Sequence, residues 1–431
     1  MNPPLPSSGS PLPSSGSPSL PPPTRIRPPG GVVDRLRREL FSTPADGMLS
    51  LALISVISTG LFSLLRWGFV KAEWAVVQVN STLFAVGRYP SAEQWRLWLL
   101  TTLLAAATGI TWGLLRAFPR PDRSSRPWPR NDFIAVAVLL LLALWTPWAL
   151  GLKLLIAARW LGIATLLIAL RWLAGRFGPQ LSRKRVGWLA LAWPLLYLLG
   201  MVLINGGLWM ATVPSARWGG LLLTLLEASF AILICFPLGV LLALGRRSEL
   251  PLLRWGSVLY IEFIRGAPLI TLLFLGQNIL GFLLPGGMAP DRVWRAAWVL
   301  TFFAAAYLAE AVRSGLAAIP KGQLEAARAL GLTTPQALQH VVLPQALRIA
   351  LPVMVGQFIS LLQDTTLLSL IGLMELLGTA RTVMANPDFL GHYGEVYLTL
   401  AVLFWCCCAA LGLGSRALER RLDPSHTPSR S

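Results

Sequence analysis

The stretch EAARALGLTTPQALQHVVLP, from Glu325 to Pro344, interrupts a chain that otherwise reads as one apolar run after another. It is charged and amphipathic and too polar to cross a bilayer, yet apolar runs of membrane length flank it on both sides. Gln323–Leu330 favours a helix, and Gly331 suits the left-handed conformation that ends one. Thr334 then stands as N-cap, with Pro335 at the first helical position, where its missing N–H costs nothing. Leu338, Val341 and Val342 form one apolar face, and Pro344 stops the second helix. The reading is a helix, a glycine turn and a second helix of about two turns. Isolated helices below roughly 12–15 residues are marginal in water, so the pair must dock on something. Its own protein's loops, the lipid headgroups and a groove on a separate cytoplasmic protein all remain open at this level.

The flanking runs define the class. Of 431 residues, 55% are apolar and 13% charged, against roughly 25% charged in soluble domains. With a mean hydropathy of +0.61, the apolar surface exceeds what one water-soluble core can bury. The chain reads as an all-α polytopic membrane protein. A helix needs roughly twenty apolar residues to span about 30 Å of hydrocarbon. Ten candidate spans result: 48–66, 97–115, 133–151, 152–170, 188–205, 219–245, 257–284, 296–316, 347–372 and 395–414.

The net charge of +18 is spread over short loops rather than gathered on one domain, so it points to membrane orientation, not nucleic acid. Counting Lys and Arg in alternate loops places 26 in one set and 10 in the other. The richer set includes both tails and the Glu325–Pro344 loop. Both termini and that loop are therefore expected in the cytoplasm. Trp67, Trp95, Trp128, Trp172, Trp188, Trp218 and Trp294 fall near span ends, where indole rings anchor at the interface. Residues 1–47 form a basic Pro/Ser-rich tail, with PLPSSGS at 4–10 repeated at 11–17, expected to be disordered. No basic n-region with an apolar h-region stands there, so the first span is expected to act as the insertion signal.

Chemistry is sparse. No GxxxxGK[ST] loop is present to cradle ATP phosphates, and three histidines without an HExxH offer hydrolysis little to work with. Cys235, Cys406, Cys407 and Cys408 lie inside apolar runs without ligand spacing and read as small core residues. No catalytic residue and no metal site is expected. Ionisable groups inside spans face the interior or a water path. Glu227, Glu262, Arg265, Glu310 and Asp364 qualify, with Gln277, Asn278, Gln357 and Gln363 as hydrogen-bonding neighbours. Glu262 with Arg265 and Glu310 with Arg313 are spaced i,i+3, which suggests two intrahelical ion pairs. Asp364, a turn or two beyond Gln357 and Ser360 and followed by Thr365, either lines a pathway or bonds a neighbouring helix.

Resemblance adds to this. Glu325, Ala326, Ala327, Gly331, Val341, Leu343 and Pro344 are similar to the EAA loop of ABC importer permeases, with Val341 where isoleucine is usual. Beyond the loop, YIEFIRGAPLITLLF at 260–274, LPQALRIALP at 343–352 and QFISLLQDTTLLSLIGLMELL at 357–377 resemble permeases of the polar amino acid family, which handles histidine, glutamate, glutamine and arginine. Gln363 stands where lysine is common and Gly356 where asparagine is, so the family's specificity is not carried over. LFSTPADGMLS at 40–50 and NSTLFAVGRYP at 80–90 further resemble the larger permease of general L-amino acid importers.

The resemblance implies a type I importer core of five helices over 219–416, preceded by about five accessory helices over 48–205 and followed by a cytoplasmic tail, 417–431. It implies a transport subunit in the inner membrane, not an enzyme. A dimer of ABC ATPase subunits that holds ATP and Mg, a second permease in a heterodimer, and an external substrate-binding protein would complete the machine. The loop would couple ATP hydrolysis to alternating access, with Gln357, Ser360, Gln363, Asp364, Thr365, Gln277 and Asn278 as candidate pathway residues. Another small polar solute as cargo, or a membrane enzyme or scaffold, are the alternatives.

Overall fold

The computed structural model describes residues 40–117, 154–180, 189–207, 209–283 and 290–422. Every regular element among them is helical. Among the described residues, seven helices are long and apolar enough to cross a membrane, or eight if one bent pair counts as a span. The expected span 133–151 lies outside the described residues, as do most of the 1–47 tail, Trp128 and Trp188. The chain divides into two compact units, Met1–Lys71 and Ala72–Ser431.

The first unit holds α1 (Pro44–Arg66), continued by a π-turn over Trp67–Lys71. Thr43 caps α1 by accepting from the Asp46 N–H at 3.1 Å, and Pro44 occupies the first turn without needing a hydrogen bond. The helix therefore starts four residues before the expected boundary at 48.

The second unit opens with two short helices, α2 (Ala75–Val79) and α3 (Ser81–Val86). Three accessory helices follow: α4 (Gln94–Ala117), α5 (Leu154–Phe177) and α6 (Leu189–Asn205). α4 and α5 run in the same direction in close contact. A Cβ on Gly109 would sit 2.5 Å from the Leu167 carbonyl oxygen, and one on Gly113 2.4 Å from that of Arg171. In lipid there is little hydrophobic force between helices, so a small-xxx-small pair that lets backbones approach supplies the packing. α6 lies antiparallel to α4, where Trp193 Nε1 donates to the Thr111 hydroxyl at 3.3 Å.

The core comprises α7 (Gly220–Arg246), α8 (Pro251–Gly266), α9 (Leu269–Leu283) and α10 (Arg292–Ala317). After it come α11 (Lys321–Ala329), α12 (Thr334–Ala337) and α13 (Leu343–Asp364), then α14 (Leu376–Met384) and α15 (Tyr393–Leu422). α10 is the central post. Ala296, Ala297, Leu300, Ala305, Leu308, Ala309 and Val312 are all fully buried. Its small side chains let α7 close in through Gly239 and α13 close in at Gly315, where a Cβ would meet the Ala346 carbonyl oxygen at 2.4 Å.

Three expectations are corrected here. The span expected at 257–284 is broken into α8 and α9, bent by 107°. Pro268 forces the cause: it has no N–H to donate, and it drives Ala267 to an extended conformation (φ −95°, ψ 137°). The C-terminal helix runs to Leu422, past the expected boundary at 416. Trp218 is not exposed as an interface anchor would be. Trp218 is 3% exposed and lies edge-on to Trp294, which in turn packs on Phe230 at 5.4 Å. Trp95 and Trp172 do sit exposed near helix ends. Of the cysteines, Cys235 is buried, whereas Cys406 is exposed on α15.

Candidate coupling loop and polar helix face

The loop is built from α11 outward. Pro320 starts α11, and its end is a Schellman turn: the Leu332 N–H donates to Ala327 O (3.2 Å) and the Gly331 N–H to Arg328 O (2.9 Å). Gly331 takes φ +85°, the left-handed value that the turn requires. Thr333, not Thr334, is the N-cap that follows. The Gln336 side chain folds back so that its Oε1 accepts from the Thr333 N–H at 3.0 Å and from its hydroxyl at 2.9 Å. That leaves the Thr334 hydroxyl free to accept from Arg328 at 3.1 Å, tying the two helices together.

Pro344 does not end the second helix. α12 widens into a π-turn over Leu338–Val342, and Pro344 then falls in the first turn of α13. The wider turn carries the preceding carbonyl away from the proline ring, which a regular α-turn would not. The loop is thus continuous with a helical run reaching Ile371. Gln345 adds a tie, donating to Val341 O at 2.9 Å and to the Gln323 side chain at 3.5 Å.

One side of this assembly is anchored and the other is open. Ala327, Ala337, Val342 and Ala346 are buried, and Leu324, Leu338 and Leu343 pack on the main core cluster. Glu325 and Ala326 face outward, Pro344 is exposed and Val341 is half-buried. Leu330, at the tip, is 84% exposed.

A charged joint braces the core ends beside the loop. Glu310 of α10 accepts from Arg246 of α7 and from Arg313, both at 2.9 Å, with Arg265 of α8 at 3.7 Å. Arg246 also pairs with Glu262 at 3.0 Å. The expected Glu262–Arg265 pair is therefore replaced: each takes a partner on another helix, because the bend before α9 turns α8 across the ends of α7 and α10. Arg246 went unrecognised in the sequence as a site residue. Its signal was its place in the last turn of a long helix, where a cation is favoured and can reach neighbouring helix ends.

The candidate pathway residues divide. Along α13, Ser360 and Gln363 are exposed, as are Ile349, Val353 and Gly356 on the same side, while Gln357 and Asp364 are half-buried. Gln363 reaches Cys408 of α15 at 3.9 Å. Thr365 is buried, and its hydroxyl donates back to Leu362 O. Gln277 is drawn away into a joint at the far end of the core. Its side-chain amide donates to Arg292 O (2.7 Å), and its backbone carbonyl accepts from Arg295 (2.7 Å). Asn278 bonds back to Phe274 O on its own helix. Glu227, on α7, is fully buried, and both carboxylate oxygens lack a hydrogen-bond partner among the described residues.

The far end of the core is held differently. Gly220, at φ +58°, donates to Met374 O at 2.9 Å, and a Cβ there would meet Phe84 O at 2.3 Å. Glu375 caps α14, accepting from the N–H groups of Leu377 (2.7 Å) and Gly378 (2.8 Å). Burial pushes its carboxyl up to about 7, against the pull of those two donors, Arg381 and the Thr224 hydroxyl. Arg292 completes this end by donating to Ile371 O at 2.6 Å.

Comparison with known proteins places this architecture. Residues 235–424 match the family model described as binding-protein-dependent transport system inner membrane component. An inner membrane amino-acid ABC transporter permease, YhdY, of Escherichia coli strain K12 is 40% identical over 91% of this chain and 94% of its own. The glutamate/glutamine/aspartate/asparagine transport system permease protein BztC of Rhodobacter capsulatus is 36% identical over 84% of this chain and 82% of its own. Among solved structures, an amino acid ABC transporter crystallised with histidines is 31% identical over 47% of this chain and 92% of its own, at a TM-score of 0.42.

Proposed function

Because this chain belongs to the amino-acid ABC transporter permeases, multi-pass inner-membrane components of binding-protein-dependent importers, we propose that it conducts polar or charged L-amino acids across that membrane. It is a transport subunit and not itself an enzyme. ATP and Mg bind a separate ATPase dimer, into whose groove α11 and α12 insert, and an external binding protein delivers the substrate. Both termini and the loop lie on the cytoplasmic side, as the 26-to-10 split of basic residues favours.

The observation that carries this reading is Leu330, a large apolar side chain 84% exposed at the tip of two helices too short to stand alone. One face of the pair is fixed to the core and the other awaits an apolar socket. Closure of the ATPase dimer would push on α11. The load would pass through the Gln323–Gln345 tie into α13, and through Arg313, Glu310 and Arg246 into α7 and α8. Ser360 and Gln363 are exposed on a membrane helix, where lipid offers no hydrogen bonds. That favours a second permease subunit across this face, with Gln357, Ser360, Gln363 and Asp364 lining a shared wet path.

Leu330→Asp in the complete transporter, reconstituted in vesicles, tests the reading. The variant should insert normally but lose co-purified ATPase and amino-acid uptake together. Undiminished uptake would refute the coupling role. Cargo is tested separately: if neutral sugars or other polar solutes compete for uptake and amino acids do not, the substrate class is wrong.

A further inference from the structure

A groove of about 550 Å³ opens between α4 and α5 at the end where both helices begin. Arg159 and Gly162 of α5 form one wall, and Trp95, Trp98 and Thr102 of α4 the other, with Ser91 at the mouth. The Arg159 guanidinium lies 5.4 Å from the centre of the Trp98 ring, and Trp98 meets Trp160 edge-on at 5.5 Å. A ring face positions the guanidinium plane but accepts none of its N–H donors directly. No ion pair reaches Arg159 among the described residues, and the neighbouring acid, Glu93, is engaged by Arg96. Among the described residues, the groove therefore carries an uncompensated cation.

From this arrangement we propose that the groove holds a membrane phospholipid, with its phosphodiester on Arg159. Both walls are helices long and apolar enough to span a membrane, which sets the groove at the end of two membrane helices. Three tryptophans at the helix ends mark the headgroup level. A guanidinium fork matches two phosphate oxygens, and the Ser91 hydroxyl is placed to donate a further bond. Below the headgroup, Leu99 of α4 (40% exposed) and Ile163 of α5 offer an apolar wall for an acyl chain. The bound lipid would fill the seam between two helices that already touch through Gly109 and Gly113, making it part of the accessory bundle.

Native mass spectrometry of the purified full transporter, with phosphatidylglycerol added, tests this. The wild type should retain at least one phospholipid per copy of this chain, and Arg159→Gln should weaken retention about tenfold, the weight of a charge-assisted contact. Arg159→Lys, which keeps the charge but loses the fork, should fall between the two. Arg217→Gln removes an exposed arginine near the start of α7 and should leave retention unchanged. Equal retention in Arg159→Gln, or equal loss in Arg217→Gln, would overturn the site. Displacement of the lipid by millimolar inorganic phosphate would also overturn it, since the groove would then select a free anion and not a lipid.

Discussion

Where α7 begins, at Gly220, backbone meets backbone; where it ends, at Arg246, charge meets charge. The first joint excludes side chains altogether. Gly87, Gly219 and Gly220 bring three segments so close that a Cβ on any of them would lie within 2.8 Å of another main chain. The second joint is made by long, half-exposed side chains around Glu310, which can exchange partners among Arg246, Arg265 and Arg313. Close-packed interiors are not continuously deformable, whereas exposed ion pairs are each worth about 0–1 kcal/mol and are screened by salt. A single helix thus has a fixed end and a yielding end. The yielding end is the one beside the Glu325–Pro344 loop, as the proposed lever driven from the cytoplasm would require.

The largest test is at the fixed end. Gly220→Ala adds a left-handed residue, at about 1–2 kcal/mol, and drives its Cβ into Phe84 O, at about 1–3 kcal/mol more. Thermal unfolding of the purified protein should shift down sharply, and an unchanged midpoint would mean that this end is not the rigid one. Glu375, beside it and between spans, gives a pH test. Its carboxyl is raised from 4.5 to about 7, so the folded state holds the proton more tightly than the unfolded chain. Stability from this group is full below about pH 4.5 and lost as pH rises through about 7, by at most about 3 kcal/mol. Glu375→Gln should flatten that decline. A slope that survives the substitution would assign it to another group.

At the yielding end, Glu310→Gln should cost only about 1–2 kcal/mol of stability, because its partners remain partly solvated. Uptake should fall much further than that, as α8, α7 and α10 lose their shared charge. Raising salt from low to about 0.5 M should speed hydrogen exchange around Arg246 and leave the backbone around Gly220 unchanged. Equal sensitivity at both ends would erase the distinction.

Much of the loop was legible because its parts are local. Helix-forming residues, a glycine and a proline at fixed spacing specify two helices with no knowledge of the rest. The errors are equally physical. Thr333 and Thr334 can each cap, and only the reach of Gln336 and Arg328 decides between them. Pro344 reads as a stop until the π-turn at Leu338–Val342 removes the clash, and nothing in the sequence announces that turn. The bend at Pro268 was written in the residue type but masked by the apolar length around it. The joint at Glu310 depends on three helices meeting, which i,i+3 spacing cannot see. Gln277 offers the sequence only one signal, polarity inside a span, and its bonds with Arg292 and Arg295 are known only once α9 and α10 are packed.

The smallest effect discriminates most finely between the two ends. Gly331 and Gly220 both sit in the left-handed region, at φ +85° and +58°, but a Cβ on Gly331 would meet nothing within 4 Å. The requirement at Gly331 is therefore conformational only. Gly331→Ala should cost about 1 kcal/mol of local helix-turn stability, enough to lower uptake about fivefold if the turn must be formed for coupling. Asn adopts the left-handed region far more readily than Ala, so Gly331→Asn should recover most of that loss. Gly220→Asn should recover nothing, because its added atoms still meet Phe84 O. Uptake and thermal midpoints for the four variants separate strain from clash. If Gly331→Asn is as defective as Gly331→Ala, the open side of the loop is filled in the working complex and a partner closes on the turn itself.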